Sequence, residues 1–347
     1  MEIDIKNDIK VKFKDCFGKK VTLPGKMKFT KEENENKITI TMCPGAITVN
    51  MQKDEASFEG WALAVYTHFV KDKFSDCKIG LELSQDDYAK IAKNSDFLND
   101  GKNGHINRFL YRALRFSDQY DWFVLSGRLY DKIMEFKEYL HKDDNVFINN
   151  SPKSSPNGEE TCEVSNHMSE KTVEKLIVKQ IRTDEVWKKY VVSDGVIFRQ
   201  LPVGLFKYNG KNKVQSKDQI FTGGSSAVDL WSCKDESILN IFELKYNKPM
   251  IGMLTEIFFY CNYARDMYSI NGMKNFKCNE DCNIRGYSKI RKKNFKVIRG
   301  YLLYDEGHLH PLITNKLIDD MNKNKAGIEY AKIAYMLTDN NCIISIK

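Results

Sequence analysis

Three charged residues lie inside two short apolar runs in the second half of the chain. The runs are AVDLW, which contains Asp229, and ILNIFELK, which contains Glu243 and Lys245. Glu243 and Lys245 are two residues apart, so in a strand both side chains point to one face. If the two strands pair, Asp229 reaches the same place. Two carboxylates and a lysine at one edge of a sheet can hold a divalent metal ion and stabilise an anion beside it.

The elements around these residues follow from the spacing of apolar residues. The polar CKDES joins the two runs and predicts a hairpin. Apolar residues recur three and four apart after it and predict a long helix. We expect a helix from Ser169 to about Tyr190 before the hairpin, then a strand over 196–206 that breaks at Pro202. Another strand over 295–304 follows, and LITNKLIDDMNKN, GIEYAKIAYML and CIISI predict peripheral helix and a last strand.

An aspartate followed one hairpin later by Glu-Leu-Lys, in the order helix, three strands, helix, strand, resembles the PD-(D/E)xK nuclease superfamily. Val228 stands where the family name has proline. The resemblance implies a restriction-endonuclease-like core over 168–347, with the topology αβββαβ and a mixed central sheet flanked by helices. The predicted fold class is therefore α/β (α+β), with a separate N-terminal α+β domain.

The resemblance also implies the chemistry and the residues that carry it. Asp229 and Glu243 would be ligands of Mg²⁺ or Mn²⁺, with the Leu244 carbonyl as a third. Lys245 would orient or activate the attacking water and stabilise the charged transition state. Many members add an acid from the first core helix, for which Glu174 is the candidate. The implied activity is metal-dependent hydrolysis of phosphodiester bonds in DNA, of restriction or phage-defence type.

Other readings of the same residues remain open. The three charges could form a half-buried salt bridge in an ordinary sheet. The fold could be kept without catalysis, as a module that binds nucleic acid or protein. The substrate could also be RNA. The sequence leaves open whether the chain forms a homodimer or binds a protein partner through its N-terminal domain.

The N-terminal part, residues 1–145, predicts two hairpins followed by helices. IKVKF with KVTL would form the first hairpin and KITITM with ITVNM the second, and KIGLEL predicts another strand. Helices are expected over 55–69, 106–116 and 128–140, and Ser84 is a candidate N-cap. Residues 146–167 are rich in Asn, Ser, Pro and Gly, so they are the predicted linker.

The net charge of +7 is concentrated in one segment. Residues 270–300 contain nine lysines and arginines against two acids, which suits contact with a phosphate backbone. Within this segment we select four residues, Lys289, Arg291, Lys292 and Lys293. Arg108 and Arg112, with Arg115, share one face of a predicted helix, which could contact phosphate or be a solvated face.

The apolar runs, the first ten residues and the cysteines together predict the cellular compartment. No apolar run reaches the ~20 residues of a membrane span, and MEIDIKNDIK is too polar for a signal peptide. The nine cysteines are scattered, and several lie in apolar runs, so thiols in a reducing cytoplasm fit better than a disulfide framework. We therefore expect a cytoplasmic protein with no membrane partner.

Overall fold

The chain forms two compact units of mixed α/β structure. The computed structural model describes residues 2–18, 21–25, 27–32, 35–74, 76–98, 104–150, 168–181, 197–210, 214–222, 226–234, 237–279, 286–291, 295–337 and 343–346. Unit 1 contains Met1–Lys142, Met250–Glu256 and His310–Ala326, and unit 2 contains Asp143–Pro249, Ile257–Leu309 and Gly327–Lys347. Whereas the sequence predicts domains 1–145 and 168–347, unit 1 therefore also takes segments from the second half of the chain.

Unit 1 is built on a mixed five-stranded sheet. Its strands, in order across the sheet, are β1 (Glu2–Asp4), β2 (Met27–Glu32), β3 (Lys37–Met42), β4 (Lys78–Leu83) and β5 (Phe123–Leu125). The pairs β1–β2 and β2–β3 are antiparallel, and β3–β4 and β4–β5 are parallel. Parallel neighbours need a long crossover connection, and helices supply it here.

The helices of unit 1 lie mostly where the periodicity predicts them. They are α1 (Lys6–Phe17), α2 (Phe58–Val65) with a π-helical turn (Tyr66–Val70) and a last turn (Lys71–Lys73), α3 (Gln85–Ala92), α4 (Gly104–Gln119), α5 (Gly127–His141) and Asn315–Met321. The predicted cap of α3 is confirmed, because the Ser84 side chain accepts a hydrogen bond from the Asp87 N–H at 3.2 Å.

Both hairpins predicted for the N-terminal part are wrong. The IKVKF segment lies in α1, where Ile9 and Phe13 are buried one turn apart while Val11 is 51% exposed. A strand would have placed all three side chains on one face. ITVNM begins within the 3₁₀ turn Ala46–Thr48, and β3 pairs with β2 instead. Tertiary burial therefore overrides the local alternation of apolar residues.

Unit 2 contains a six-stranded sheet and a four-stranded sheet. Its strands are β6 (Phe147–Asn149), β7 (Phe198–Pro202), β8 (Leu205–Lys207), β9 (Gln219–Phe221), β10 (Ala227–Lys234), β11 (Ile238–Lys245), β12 (Phe276–Lys277), β13 (Val297–Asp305), β14 (Glu329–Leu337) and β15 (Ile343–Ile346). The larger sheet has the order β15-β14-β13-β11-β10-β7, and the smaller one β12-β6-β8-β9. In the larger sheet, the pairs β7–β10 and β10–β11 are antiparallel, and the pairs β11–β13 and β13–β14 are parallel. The sheet of unit 1 shows the same order of pair directions from β1 to β5.

Helices lie on both faces of the larger sheet. Unit 2 has α6 (Glu170–Ile181), the part of α7 (Gly252–Tyr268) from Ile257 onward, and α8 (Tyr287–Ile290). Val173 and Ile177 of α6 share a core with Leu230, Phe242 and Leu244 of the sheet. On the other face, α7 approaches Gly300 of β13 so closely that an added Cβ would lie 2.6 Å from the Cys261 sulfur.

Three features of unit 2 bear on the predicted elements. The break at Pro202 is confirmed, because β7 and β8 on either side of it enter different sheets. Phe147–Asn149, inside the predicted linker, is a buried strand paired with two others, and residues 151–167 lie outside the described residues. GIEYAKIAYML forms β14 beside β13, not peripheral helix.

Across the described segments, every helix is too short or too polar to cross a bilayer.

Candidate active site

The open end of the β10–β11 hairpin brings Asp229 to the Glu-Leu-Lys segment. The antiparallel ladder pairs Leu230 with Phe242, so the next register position places Asp229 opposite Glu243. Directly opposed residues of an antiparallel pair point to the same face. The Asp229 carboxylate accepts a hydrogen bond from the Leu244 N–H, with an Oδ2–N distance of 2.9 Å. The side chain of one strand therefore contacts the backbone of the other where their regular pairing ends.

Alternation along β11 separates the charged residues from the core. Phe242 and Leu244 belong to the core shared with α6, so Glu243 and Lys245 point to the opposite face. The Lys245 ammonium forms an ion pair with Glu243 Oε1. Both side chains are almost fully buried, at 2% and 3% exposure. The predicted separation of Glu243 and Lys245 from Phe242 and Leu244 on opposite faces of β11 is confirmed.

The oxygen donors of this site suit a hard divalent cation. Carboxylates and carbonyls are the ligands that Mg²⁺ and Mn²⁺ prefer. The N–H and C=O of one strand residue point to the same side, so the Leu244 carbonyl faces the β10 side, as its N–H does. Within the described ranges no group of three or more His, Cys, Asp and Glu side chains could hold a metal ion. The fit therefore rests on Asp229, Glu243 and the Leu244 carbonyl.

Glu174 lies on α6 and its carboxylate is held by β7. Its Oε2 accepts hydrogen bonds from Arg199, at 3.0 Å from Nε and 2.9 Å from Nη2, and from Gln200 Nε2 at 3.0 Å. The side chain is 2% exposed. Burial raises the pKa of Glu174, and the neighbouring Arg199 opposes that rise. These contacts identify Glu174 as a link between the helix and the edge strand of the sheet.

Three residues of unit 2 with strained backbone either flank this hairpin or lie opposite it in the sheet. Gln200, Thr222 and Asn247 have φ angles of 57°, 48° and 53°, a left-handed region that side chains other than glycine rarely adopt. Gln200 lies opposite Asp229, Thr222 precedes β10, and Asn247 follows Lys245 by two residues. Such strain is concentrated at functional sites in many proteins. Single-sequence reasoning misses it, because only Asn247 is of a type that tolerates this conformation.

The predicted basic segment contacts an aromatic pair formed between β7 and β10. The Lys289 ammonium lies 5.7 Å from the centroid of the Phe198 ring, and that ring stacks on Trp231 at 4.7 Å. Phe198 is two residues from Gln200, or about 7 Å along β7. Arg291 directly follows α8. Lys292 and Lys293 lie outside the described residues.

The arginines predicted on one face of α4 are buried. Arg108, Arg112 and Arg115 are 6%, 3% and 6% exposed, so the alternative of a solvated face is wrong. Arg112 forms an ion pair with Glu59 and donates a hydrogen bond to the Ala56 carbonyl at 2.8 Å. The Arg108 Nη2 lies 2.7 Å from His105 Nδ1. A guanidinium already engaged inside unit 1 is a poor candidate for a phosphate contact, which disfavours Arg108 and Arg112 as nucleic-acid-binding residues.

Comparisons of the chain with protein-family models, with curated proteins and with solved structures returned no match. Evidence on function therefore comes from the contacts of Asp229, Glu243 and Lys245 and from the elements that position them.

Proposed function

We propose that the chain is a Mg²⁺- or Mn²⁺-dependent endonuclease that hydrolyses phosphodiester bonds in DNA. The observation that carries the proposal is the 2.9 Å contact between Asp229 Oδ2 and the Leu244 amide nitrogen. It joins the aspartate to the Glu-Leu-Lys segment at the open end of one hairpin. The order and directions of α6, β7, β10, β11, α7 and β13 support the proposal, because a restriction-endonuclease-like core has the same order.

Each residue of the site has a proposed role. Asp229 and Glu243 hold the cation, with the Leu244 carbonyl as a third oxygen ligand. A bound Mg²⁺ supplies Lewis-acid activation of water and neutralises charge at the scissile phosphate. Lys245 donates hydrogen bonds to the attacking water and to the phosphate oxygens, where a buried ammonium is more effective than a solvated one. Its ion pair with Glu243 holds the ammonium beside the carboxylate ligands.

The DNA backbone would bind beside this site, along the edge strand β7. Lys289 and Arg291 supply positive charge there, and the neighbouring Lys292 and Lys293 add to it in the sequence. Phosphate contacts of this kind position a nucleic acid without reading its sequence. Unit 1 repeats the strand directions of unit 2, but its third strand, KITITM, carries no acid. We therefore assign recognition of the target or of a partner to unit 1.

Cleavage assays with purified protein test the proposal. Supercoiled plasmid, linear duplex and single-stranded RNA are incubated with Mg²⁺, with Mn²⁺ or with EDTA. We expect metal-dependent cleavage of DNA that is lost in Asp229→Asn and Lys245→Ala. The matched control is Lys248→Ala, because Lys248 lies three residues further along and its side chain is 63% exposed.

Two results would contradict the proposal. The first is a folded wild-type protein that cleaves none of the substrates with either metal ion, while still binding duplex DNA, which would indicate a binding module. The second is a Lys245→Ala variant as active as the Lys248→Ala control. Metal-dependent cleavage of RNA alone would keep the chemistry and change the substrate class.

A further inference from the structure

The kink of the edge strand at Gln200 lies beside the Asp229 carboxylate. In the β7–β10 ladder Leu201 pairs with Val228 and Arg199 pairs with Leu230. Gln200 falls between these pairs, at the register position opposite Asp229. Its φ of 57° departs from the extended conformation of a strand. The irregularity in the edge strand therefore coincides with the proposed metal ligand.

The kink turns two consecutive side chains to the same face. Arg199 lies opposite Leu230, whose side chain belongs to the core beneath α6. In a regular strand the next side chain would point to the other face. Gln200 instead donates its amide to Glu174 Oε2, the same oxygen that accepts from Arg199. As a result the side chain of Gln200 is withdrawn from the face that carries Asp229 and Glu243.

We propose that Gln200 is a positioning residue that keeps the sheet face beside Asp229 open for the cation and the scissile phosphate. Glu174 anchors it and does not bind the metal ion. Non-glycine residues held in the left-handed region are often found at active sites, where the strained backbone is part of the mechanism. The inference rests on the proposed function, since the space has a purpose only if Asp229 binds a cation. It extends that function by giving Glu174 a structural role.

Substitutions at Gln200 separate the effect of the backbone kink on metal binding from the effect of the side-chain amide. A β-branched residue resists positive φ, so Gln200→Val returns the strand to regular geometry and directs its side chain toward Asp229. We expect its Kd for Mn²⁺, measured by calorimetry without substrate, to rise about tenfold, and cleavage to fall by a similar factor. Gln200→Gly adopts positive φ without strain, so its Mn²⁺ affinity is expected to match the wild type within about twofold. Gly210→Val, at a φ of +85° in the loop after β8, is the control for strain alone.

Two substitutions of Glu174 separate an anchor from a ligand. Glu174→Gln keeps an oxygen that accepts from Arg199 and Gln200, so Mn²⁺ affinity should stay at the wild-type value. Glu174→Ala releases both residues and should weaken Mn²⁺ binding about as much as Gln200→Val. Asp229→Asn is the reference for the loss of a true ligand. Hydrogen exchange of the β10 amides confirms that each variant is folded.

The outcomes distinguish this inference from the proposed function. A wild-type protein that neither binds Mn²⁺ nor cleaves nucleic acid would overturn both. If the wild type binds and cleaves, equal affinities of Gln200→Val and Gln200→Gly would overturn only the role of the kink. A Glu174→Gln variant that loses as much affinity as Asp229→Asn would show that Glu174 is a ligand. If Gln200→Val does not fold, the two Glu174 variants still decide whether Glu174 anchors Gln200 or binds the metal ion.

Discussion

The buried ion pair between Glu243 and Lys245 allows a test of whether the site exists for chemistry or for stability. Both side chains are at most 3% exposed. Removing one partner leaves the other charge buried without compensation. We therefore expect Lys245→Met, which keeps most of the length of the side chain, to lower the free energy of unfolding of this region by about 3–5 kcal/mol.

Replacing both partners should have a much smaller effect. The double variant Glu243→Met/Lys245→Met removes the desolvation cost of two charges and keeps the apolar volume. Comparable replacements of buried ion pairs are often neutral or stabilising by about 1–4 kcal/mol. The double variant should therefore be at least as stable as the wild type, and still inactive. If the Glu243–Lys245 ion pair lowers the stability of the fold, its presence indicates a functional role.

Hydrogen exchange of the peptide that covers β11 measures the change in the local free energy of unfolding, without assuming that both units unfold together. A loss of about 3 kcal/mol corresponds to roughly a hundredfold faster exchange, since each 1.4 kcal/mol is a factor of ten. We expect this acceleration in Lys245→Met and wild-type rates in the double variant. Equal acceleration in both variants would contradict a functional origin of the ion pair, because the pair would then be a stabilising element of the sheet.

Three further predictions concern other parts of the chain. The Nδ1 of His310 accepts a hydrogen bond from the Leu312 N–H at 3.3 Å, and burial lowers the pKa of His310 to about 4. The folded state then binds fewer protons than the unfolded state. The free energy of unfolding of unit 1 should therefore fall by up to about 3 kcal/mol as the pH falls from 6.5 to 4, and His310→Asn should remove that pH dependence in melting experiments. Gly300→Val should lower the free energy of unfolding of unit 2 by about 1–3 kcal/mol through overpacking against α7, whereas Gly127→Ala, with open space around it, should not destabilise unit 1. Neutralising Lys289 and Arg291 together should reduce the slope of log K against log salt for duplex DNA by about 2, measured by anisotropy, and an unchanged slope would remove them from the interface.

Much of the candidate site follows from local sequence pattern. The two apolar runs predict β10 and β11, and the spacing of Glu243 and Lys245 predicts that they share a face. The alternation holds because one face of β11 is buried against α6, so a slip of one residue would place Glu243 and Lys245 in the apolar core that Phe242 and Leu244 occupy. The helix after the hairpin and the break at Pro202 also follow from short-range rules, periodicity in one case and the missing N–H of proline in the other.

The rest depends on contacts between residues far apart in the chain. IKVKF fits a strand or a helix, and only the burial of Ile9 and Phe13 in unit 1 selects α1. Arg112 of α4 can be buried because Glu59, on another helix, lies where it can pair with the guanidinium. GIEYAKIAYML becomes a strand because β13 offers it a parallel edge.

Local pattern is enough to identify which residues could hold a cation and on which face of β11 Glu243 and Lys245 lie, because side-chain alternation in a strand is a local property. Only folding brings Asp229 to the Leu244 backbone, holds Glu174 with Arg199 and Gln200, and gives Gln200 its left-handed conformation. A positive φ at glutamine has no signal in the chain, since the contacts that stabilise it come from a helix and a strand brought together by folding.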